Sequence, residues 1–191
     1  MLYFMKIGIS IYFISLLISC QSSGQKIQRK DAAYAINLID SLTTTLGDPA
    51  NKLVAYSKSL STKMSIYNKV EKTLVDTMQI YFNALISSYE KAIQEITNNE
   101  TIAKFKEMQS NFLVLLNKGK EPWVVTVPVQ IKMYREGWNS LSLPEQEIFK
   151  TKESFMMKSA SLVLEWAKIV AEQEDELEKK YHLELINDKY R

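Results

Sequence analysis

Apolar side chains recur every three or four residues over most of this chain, and that spacing restricts it to helices that bury one face. One long run begins at Ser142 and continues to about Ile186, and its roughly 43 helical residues span about 64 Å at 1.5 Å per residue. Its first residues, Ser142-Leu143-Pro144-Glu145, have the capping-box spacing with proline in the first turn. A helix of this length needs a comparably long partner to cover its apolar face.

Further helices are predicted before this one. An apolar stripe over residues 33–46 is followed by Gly47-Asp48-Pro49, a combination that favours the end of one helix and the start of the next. A second helical pattern covers 49–97, and the serines and threonines of 57–65 weaken its middle, which predicts a kink or break there. A third helix is predicted over 100–117.

The pattern favours a globular bundle over a simple coiled coil. Polar residues interrupt the second line of any heptad that starts at Ile148, so a narrow two-stranded seam is disfavoured. The sequence therefore predicts an all-α fold, an elongated antiparallel bundle of about four helices, as a single domain over 29–191.

One long irregular connection is predicted between these helices, over 119–141. Two prolines bracket the run Trp123–Val127, whose β-branched residues prefer extended backbone. A connection this long either has a function of its own or is a crossover that packs over the end of the bundle, and the crossover is the preferred interpretation. Because tryptophan and tyrosine are enriched at binding hot spots, Trp123, Tyr134 and Trp138 are the candidate partner-binding residues.

The first nineteen residues have the pattern of a signal peptide. Lys6 is their only charge, and the apolar run from Ile7 to Ser19 is too short to cross about 30 Å of hydrocarbon comfortably. Translation starts at Met1 or at Met5, which would place the lysine beside the initiator.

The end of this segment, Leu17-Ile18-Ser19-Cys20, resembles the lipobox of bacterial lipoproteins. The resemblance implies that a diacylglycerol is attached to the Cys20 thiol, that residues 1–19 are removed, and that the polar residues 20–28 form a flexible tether. It also implies an anchor in the outer membrane with the domain facing the periplasm, because no acidic residue lies directly after the cysteine.

Charge and cysteine content exclude several classes of function. The net charge is +2, so a broad electrostatic surface for nucleic acid is not expected. Cys20 is the only cysteine, and once it carries lipid no thiol remains for a disulfide or a thiolate metal site.

The sequence offers no assembled catalytic site, so an enzyme is not predicted and neither a metal nor a cofactor is expected. His182 is the only histidine, which removes the usual serine and cysteine catalytic arrangements, and it is interpreted as a residue of the last helical turn. The acidic run over 172–178 is interpreted as a solvated face, because its carboxylates point in many directions on a helix.

The leading functional hypothesis is a lipid-anchored interaction or accessory protein of the cell envelope. Two alternatives stay open: an immunity-type lipoprotein that neutralises a periplasmic toxin, and a binder of an apolar small ligand in the bundle interior, which requires a cavity of about 300 Å³ or more. The sequence does not determine the oligomeric state.

Overall fold

The computed structural model describes the backbone of residues 2–67 and 70–183, and the side chains of residues 24, 26–64 and 70–183. Within these ranges the secondary structure is helical, which confirms the predicted all-α class. The helices are α1 (Leu2–Tyr67), α2 (Lys72–Asn98), α3 (Lys106–Glu136) and α4 (Leu143–Tyr181), with short 3₁₀ helices at Ile102–Lys104 and Trp138–Ser140.

The four helices form an antiparallel up-down-up-down bundle. Each of α1 and α3 contacts both α2 and α4, so the helices close into a ring. Arg29 of α1 donates a hydrogen bond to the carbonyl oxygen of His182 at 2.8 Å, which places the end of α4 beside the early part of the bundled α1. Arg135, late in α3, binds Asp76, early in α2, at 2.9 Å. The predicted antiparallel bundle of about four helices is confirmed.

The bundle has two ends, each with its own apolar cluster. The His182 end holds the α2–α3 connection, and its cluster draws on all four helices; the Trp138 end holds the α3–α4 connection. Among the described side chains, the Trp138-end cluster is built by α1, α2, α3 and Val70, without a residue of α4. The buried members of the Trp138-end cluster are Leu53, Leu60, Val70, Val75, Met78, Leu85, Val127, Ile131 and Tyr134.

Gly119 and Tyr89 mark the layer where the two clusters meet. Tyr89 of α2 packs against both clusters. A Cβ atom on Gly119 would lie 2.8 Å from the Tyr89 hydroxyl oxygen, so the absence of a side chain at this position of α3 makes room for the tyrosine.

The irregular connection predicted over 119–141 is wrong, because α3 continues through both prolines to Glu136. Each proline removes a single backbone donor. Helical spacing places Val127, Ile131 and Tyr134 together in the Trp138-end cluster. The free energy gained by burying these side chains outweighs the preference of valine for extended backbone. Only the segment after Glu136, with its short 3₁₀ turn, connects α3 to α4.

Two other predicted boundaries are also wrong. No helix ends at Gly47, since α1 runs through Pro49 to Tyr67. An unbroken helix lets Leu46 pack on the His182-end cluster and Leu53 on the Trp138-end cluster. The break predicted near 57–65 lies later in the chain, because α1 continues through these residues to Tyr67 and α2 begins at Lys72.

The capping box predicted at the start of α4 is confirmed. Glu145 accepts hydrogen bonds from the backbone N–H and the hydroxyl of Ser142, at 2.7 and 2.8 Å. The Lys132 ammonium lies 2.9 Å from the same carboxylate, and these partners lower the pKa of Glu145 to about 2. The helix ends earlier than the predicted Ile186, because His182 takes the left-handed conformation with φ 53° and the Leu183 N–H bonds to the Glu178 carbonyl.

The side chains of the predicted signal peptide and of Cys20 lie outside the described residues. Residues 20–28, predicted as a tether, belong to the backbone of α1, and the side chains of 26–28 are exposed. Among the helical segments that the structure describes with side chains, none is long and apolar enough to cross a membrane.

Candidate docking groove

The two halves of α4 are held differently in the bundle. Val170, in the second half, is the one side chain of α4 that is fully buried among the described residues. The first half is attached mainly to α3, where the Thr126 hydroxyl lies 3.7 Å from the Met156 sulfur and the Lys132–Glu145 ion pair closes the Trp138 end. Toward the Trp138 end, α4 therefore stays with α3 and leaves a gap beside α1.

This gap is a groove of about 430 Å³ between α1 and α4, with α3 as its floor. We call it the α1–α4 groove. Its walls come from one side of α1 and one side of α4, and Val54 on the α1 wall is 50% exposed. The lining residues are Leu53, Val54, Ser57, Lys58, Ser61, Trp123, Thr126, Val127, Gln130, Lys152, Glu153 and Met156.

The floor of the groove is apolar and is anchored by Trp123. This tryptophan is half-buried and also packs against the Trp138-end cluster, beside the buried Val127. Burial raises the pKa of the neighbouring Tyr89 hydroxyl, and its hydrogen bond with Trp123 partly opposes this effect. The cluster and Tyr89 therefore hold the indole in place, while part of the ring stays accessible from the groove.

Polar contacts join the α1 wall to the floor. The Ser61 and Tyr134 hydroxyls are 2.7 Å apart, and the Ser57 hydroxyl donates to the Gln130 side-chain oxygen at 3.4 Å. The pKa of Tyr134 is raised, chiefly by burial. These contacts hold α1 against α3 and satisfy the polar atoms at the lower edge of the groove.

Two lysines give the groove a positive rim. Lys58 extends from the α1 wall and Lys152 from the α4 wall, with Glu153 beside the latter. The Lys152 ammonium lies 3.7 Å from the centre of the Phe149 ring, and burial lowers its pKa. A desolvated ammonium gains from an anionic partner, so a group that combines apolar surface with a carboxylate is complementary to this groove.

The three candidate partner-binding residues do not share one surface. Trp123 lines the α1–α4 groove. Tyr134 is 7% exposed and faces Ser61. Trp138 instead packs edge-on against Phe149, with ring centres 6.0 Å apart, at the end of the bundle.

Sequence reasoning missed the α1 and α4 walls of the groove. Val54 and Lys152 lie beside the apolar stripes of their helices, and nothing in a single helix indicates that they face each other across a gap. The signal available was indirect, since Lys152 is one of several polar residues that interrupt the second line of the heptad starting at Ile148.

The acidic and histidine residues do not form a metal site in the part of the chain that the structure describes. His182 is exposed and contributes its backbone carbonyl to the bond from Arg29. In the acidic run, Glu174 is half-buried between α4 and α1, and its pKa is raised to about 7 by burial and by Asp40, Glu178 and Asp175. The expectation of a fully solvated face is therefore wrong for Glu174.

No protein-family model, no curated protein and no solved structure matches this chain.

Proposed function

We propose that this chain is a membrane-anchored helical lipoprotein that acts as an interaction or accessory subunit of the cell envelope, and that it binds its protein partner in the α1–α4 groove. Lipid on Cys20 holds it at the outer membrane with the bundle in the periplasm. The observation that carries the docking part of the proposal is the open groove above Trp123, between two helices whose described side chains share an apolar cluster only at the other end of the bundle.

A helix is the partner element that this groove fits. Two parallel walls and a helical floor form the type of surface in which an amphipathic helix buries its apolar face. The contact on α1 extends from Leu53 to Ser61, which is about 12 Å, or about two helical turns. Apolar side chains of the partner would cover Trp123 and Val54, and an acidic side chain would pair with Lys58 or Lys152.

A second candidate function is the binding of an amphiphile such as a fatty acid. The volume of about 430 Å³ lies within the range of small-ligand sites, about 300–1,000 Å³. A carboxylate head would meet the same two lysines while the acyl chain covered the apolar floor.

The test is photo-crosslinking in intact cells from position 54, with position 80 as the matched control. Val54 and Ile80 are both exposed aliphatic residues of long helices, at 50% and 64%, but only Val54 lines the groove. A photoreactive residue at position 54 should give one discrete protein adduct that position 80 does not give. Lys152→Glu in the same chain should reduce that adduct, since it reverses the charge of the rim.

Each outcome decides between the candidates. Lipid adducts from position 54 in place of a protein adduct would favour the amphiphile. Identical adducts from positions 54 and 80, or an adduct that Lys152→Glu leaves unchanged, would contradict docking in the groove.

A further inference from the structure

The outer face of α4 carries an apolar stripe that no other described residue of the chain covers. Met157 is 73% exposed and Leu164 is 70% exposed, although both are large apolar residues. They are seven residues apart and therefore lie on the same side of the helix. Ala160 and Ser161 lie between them and are also exposed.

Opposite charges close the two ends of this stripe. Glu153, which also lies at the α4 edge of the α1–α4 groove, is one turn before Met157, and Lys168 is one turn after Leu164. Both side chains are exposed. The Lys168 ammonium also forms a long, exposed ion pair with Glu172, with 3.8 Å between the nitrogen and the carboxylate oxygen. We call the six residues the pairing stripe: Glu153, Met157, Ala160, Ser161, Leu164 and Lys168.

The pairing stripe is complementary to itself when it is reversed. Its spacing is symmetric about the midpoint between Ala160 and Ser161. Outward from this midpoint, each half has a small residue, then a large apolar residue, then a charged residue, at the same intervals. Turning a second copy by 180° about that midpoint places Met157 opposite Leu164 of the copy. The same rotation places Glu153 opposite Lys168, twice in the pair, as a twofold interface requires.

We propose that α4 pairs antiparallel with α4 of a second copy of this chain, through the pairing stripe. The small residues Ala160 and Ser161 at the crossing point let the two backbones approach closely. On each side of the crossing point, Met157 of one copy then covers Leu164 of the other. The two ion pairs fix the antiparallel direction and the register, which is the main contribution of charges at an interface.

The pair is weak in solution. The stripe covers about 22 Å of one helix, and a contact between two such segments is small beside the roughly 1,600 Å² of a standard interface. Confinement to a membrane raises the effective concentration of the second copy, and this enhancement rests on the proposed lipid anchor. The pairing itself requires neither the anchor nor an occupied α1–α4 groove.

Disulfide trapping detects such a weak pair in the full chain. In a Cys20→Ser background, Ser161→Cys introduces the only thiol, next to the twofold axis. Ser87→Cys, at an exposed serine of α2, is the matched control. Both variants are purified in the same detergent. Under mild oxidation, Ser161→Cys should form a covalent dimer about tenfold faster than Ser87→Cys.

Charge reversal then tests the register. Glu153→Lys or Lys168→Glu, each added to the Ser161→Cys chain, should slow dimer formation about tenfold, because each single change creates two like-charged pairs. The two changes together restore opposite charges and should restore the rate. Equal trapping at positions 161 and 87, or a double variant that stays as slow as the single ones, would overturn the proposal.

Discussion

Glu174 has a pKa that burial raises into the neutral range, so its charge state affects the stability of the bundle there. One of its carboxyl oxygens is buried and has no hydrogen-bond partner. Desolvation is the largest cause that raises its pKa from the usual 4.5 to about 7; Asp40 of α1 and Glu178 and Asp175 of α4 add to it. The folded chain therefore keeps a proton between about pH 4.5 and 7 that the unfolded chain releases, so the stability falls as the pH rises through this window.

Glu174→Gln should remove most of this pH dependence. The glutamine stays neutral, so at pH 8 the variant should be more stable than the parent, by about 1–2 kcal/mol once the partial exposure of the site is allowed for. Thermal unfolding at pH 5 and pH 8 measures the effect. Glu165→Gln, an exposed position of the same helix, is the control. The same fall in Tm from pH 5 to pH 8 in the parent and in Glu174→Gln would show that this carboxyl is not responsible.

At the scale of the helices, the sequence best predicted those features that depend on contacts between residues close in the sequence. The start of α4 was predicted because Ser142 and Glu145 are three residues apart and make their contacts within one turn. The continuity of α3 could not be predicted in this way, because it depends on the burial of Val127 and Ile131 against two other helices. The α1–α4 groove was missed for a related reason, since it depends on the separation between two helices.

The first half of α4 should exchange its amide hydrogens faster than the second half. The Trp138-end cluster includes no described side chain of α4, whereas Val170 and Leu177 pack in the His182-end cluster. Local opening is easier where fewer apolar contacts hold a segment. Hydrogen exchange should therefore be roughly tenfold faster over 148–157 than over 170–177. Equal protection of both segments would mean that α3 alone holds the first half of α4 firmly.

At the scale of the whole molecule, the position of Cys20 in the chain determines which end of the bundle an anchor would hold. The chain enters the bundle at Arg29, beside His182, and Arg29 is only nine positions after Cys20. A lipid on this cysteine would keep the His182 end near the membrane. The Trp138 end and the α1–α4 groove would then point away from the surface, toward a partner in the periplasm.

Cys20→Ser should abolish the anchor. Without the thiol, the chain should neither incorporate labelled fatty acid nor be cut before position 20. Metabolic labelling and the mass of the protein in the membrane fraction measure both effects. Ser19→Ala, which keeps a small residue before the cysteine, is the matched control and should still be labelled. A Cys20→Ser chain that is labelled and shortened like the parent would contradict the proposal that this chain is a lipoprotein.

The segment of α4 around Met156 and Met157 carries a groove wall on one face and the pairing stripe on the adjacent face, and Glu153 belongs to both. An occupant that shifts this segment would therefore also shift the surface offered to a second copy. Thermodynamic linkage makes the effect mutual: the factor by which the occupant changes dimer affinity is the factor by which dimerisation changes affinity for the occupant. One loosely held half-helix would thus allow two binding events, on adjacent faces that share Glu153, to regulate each other.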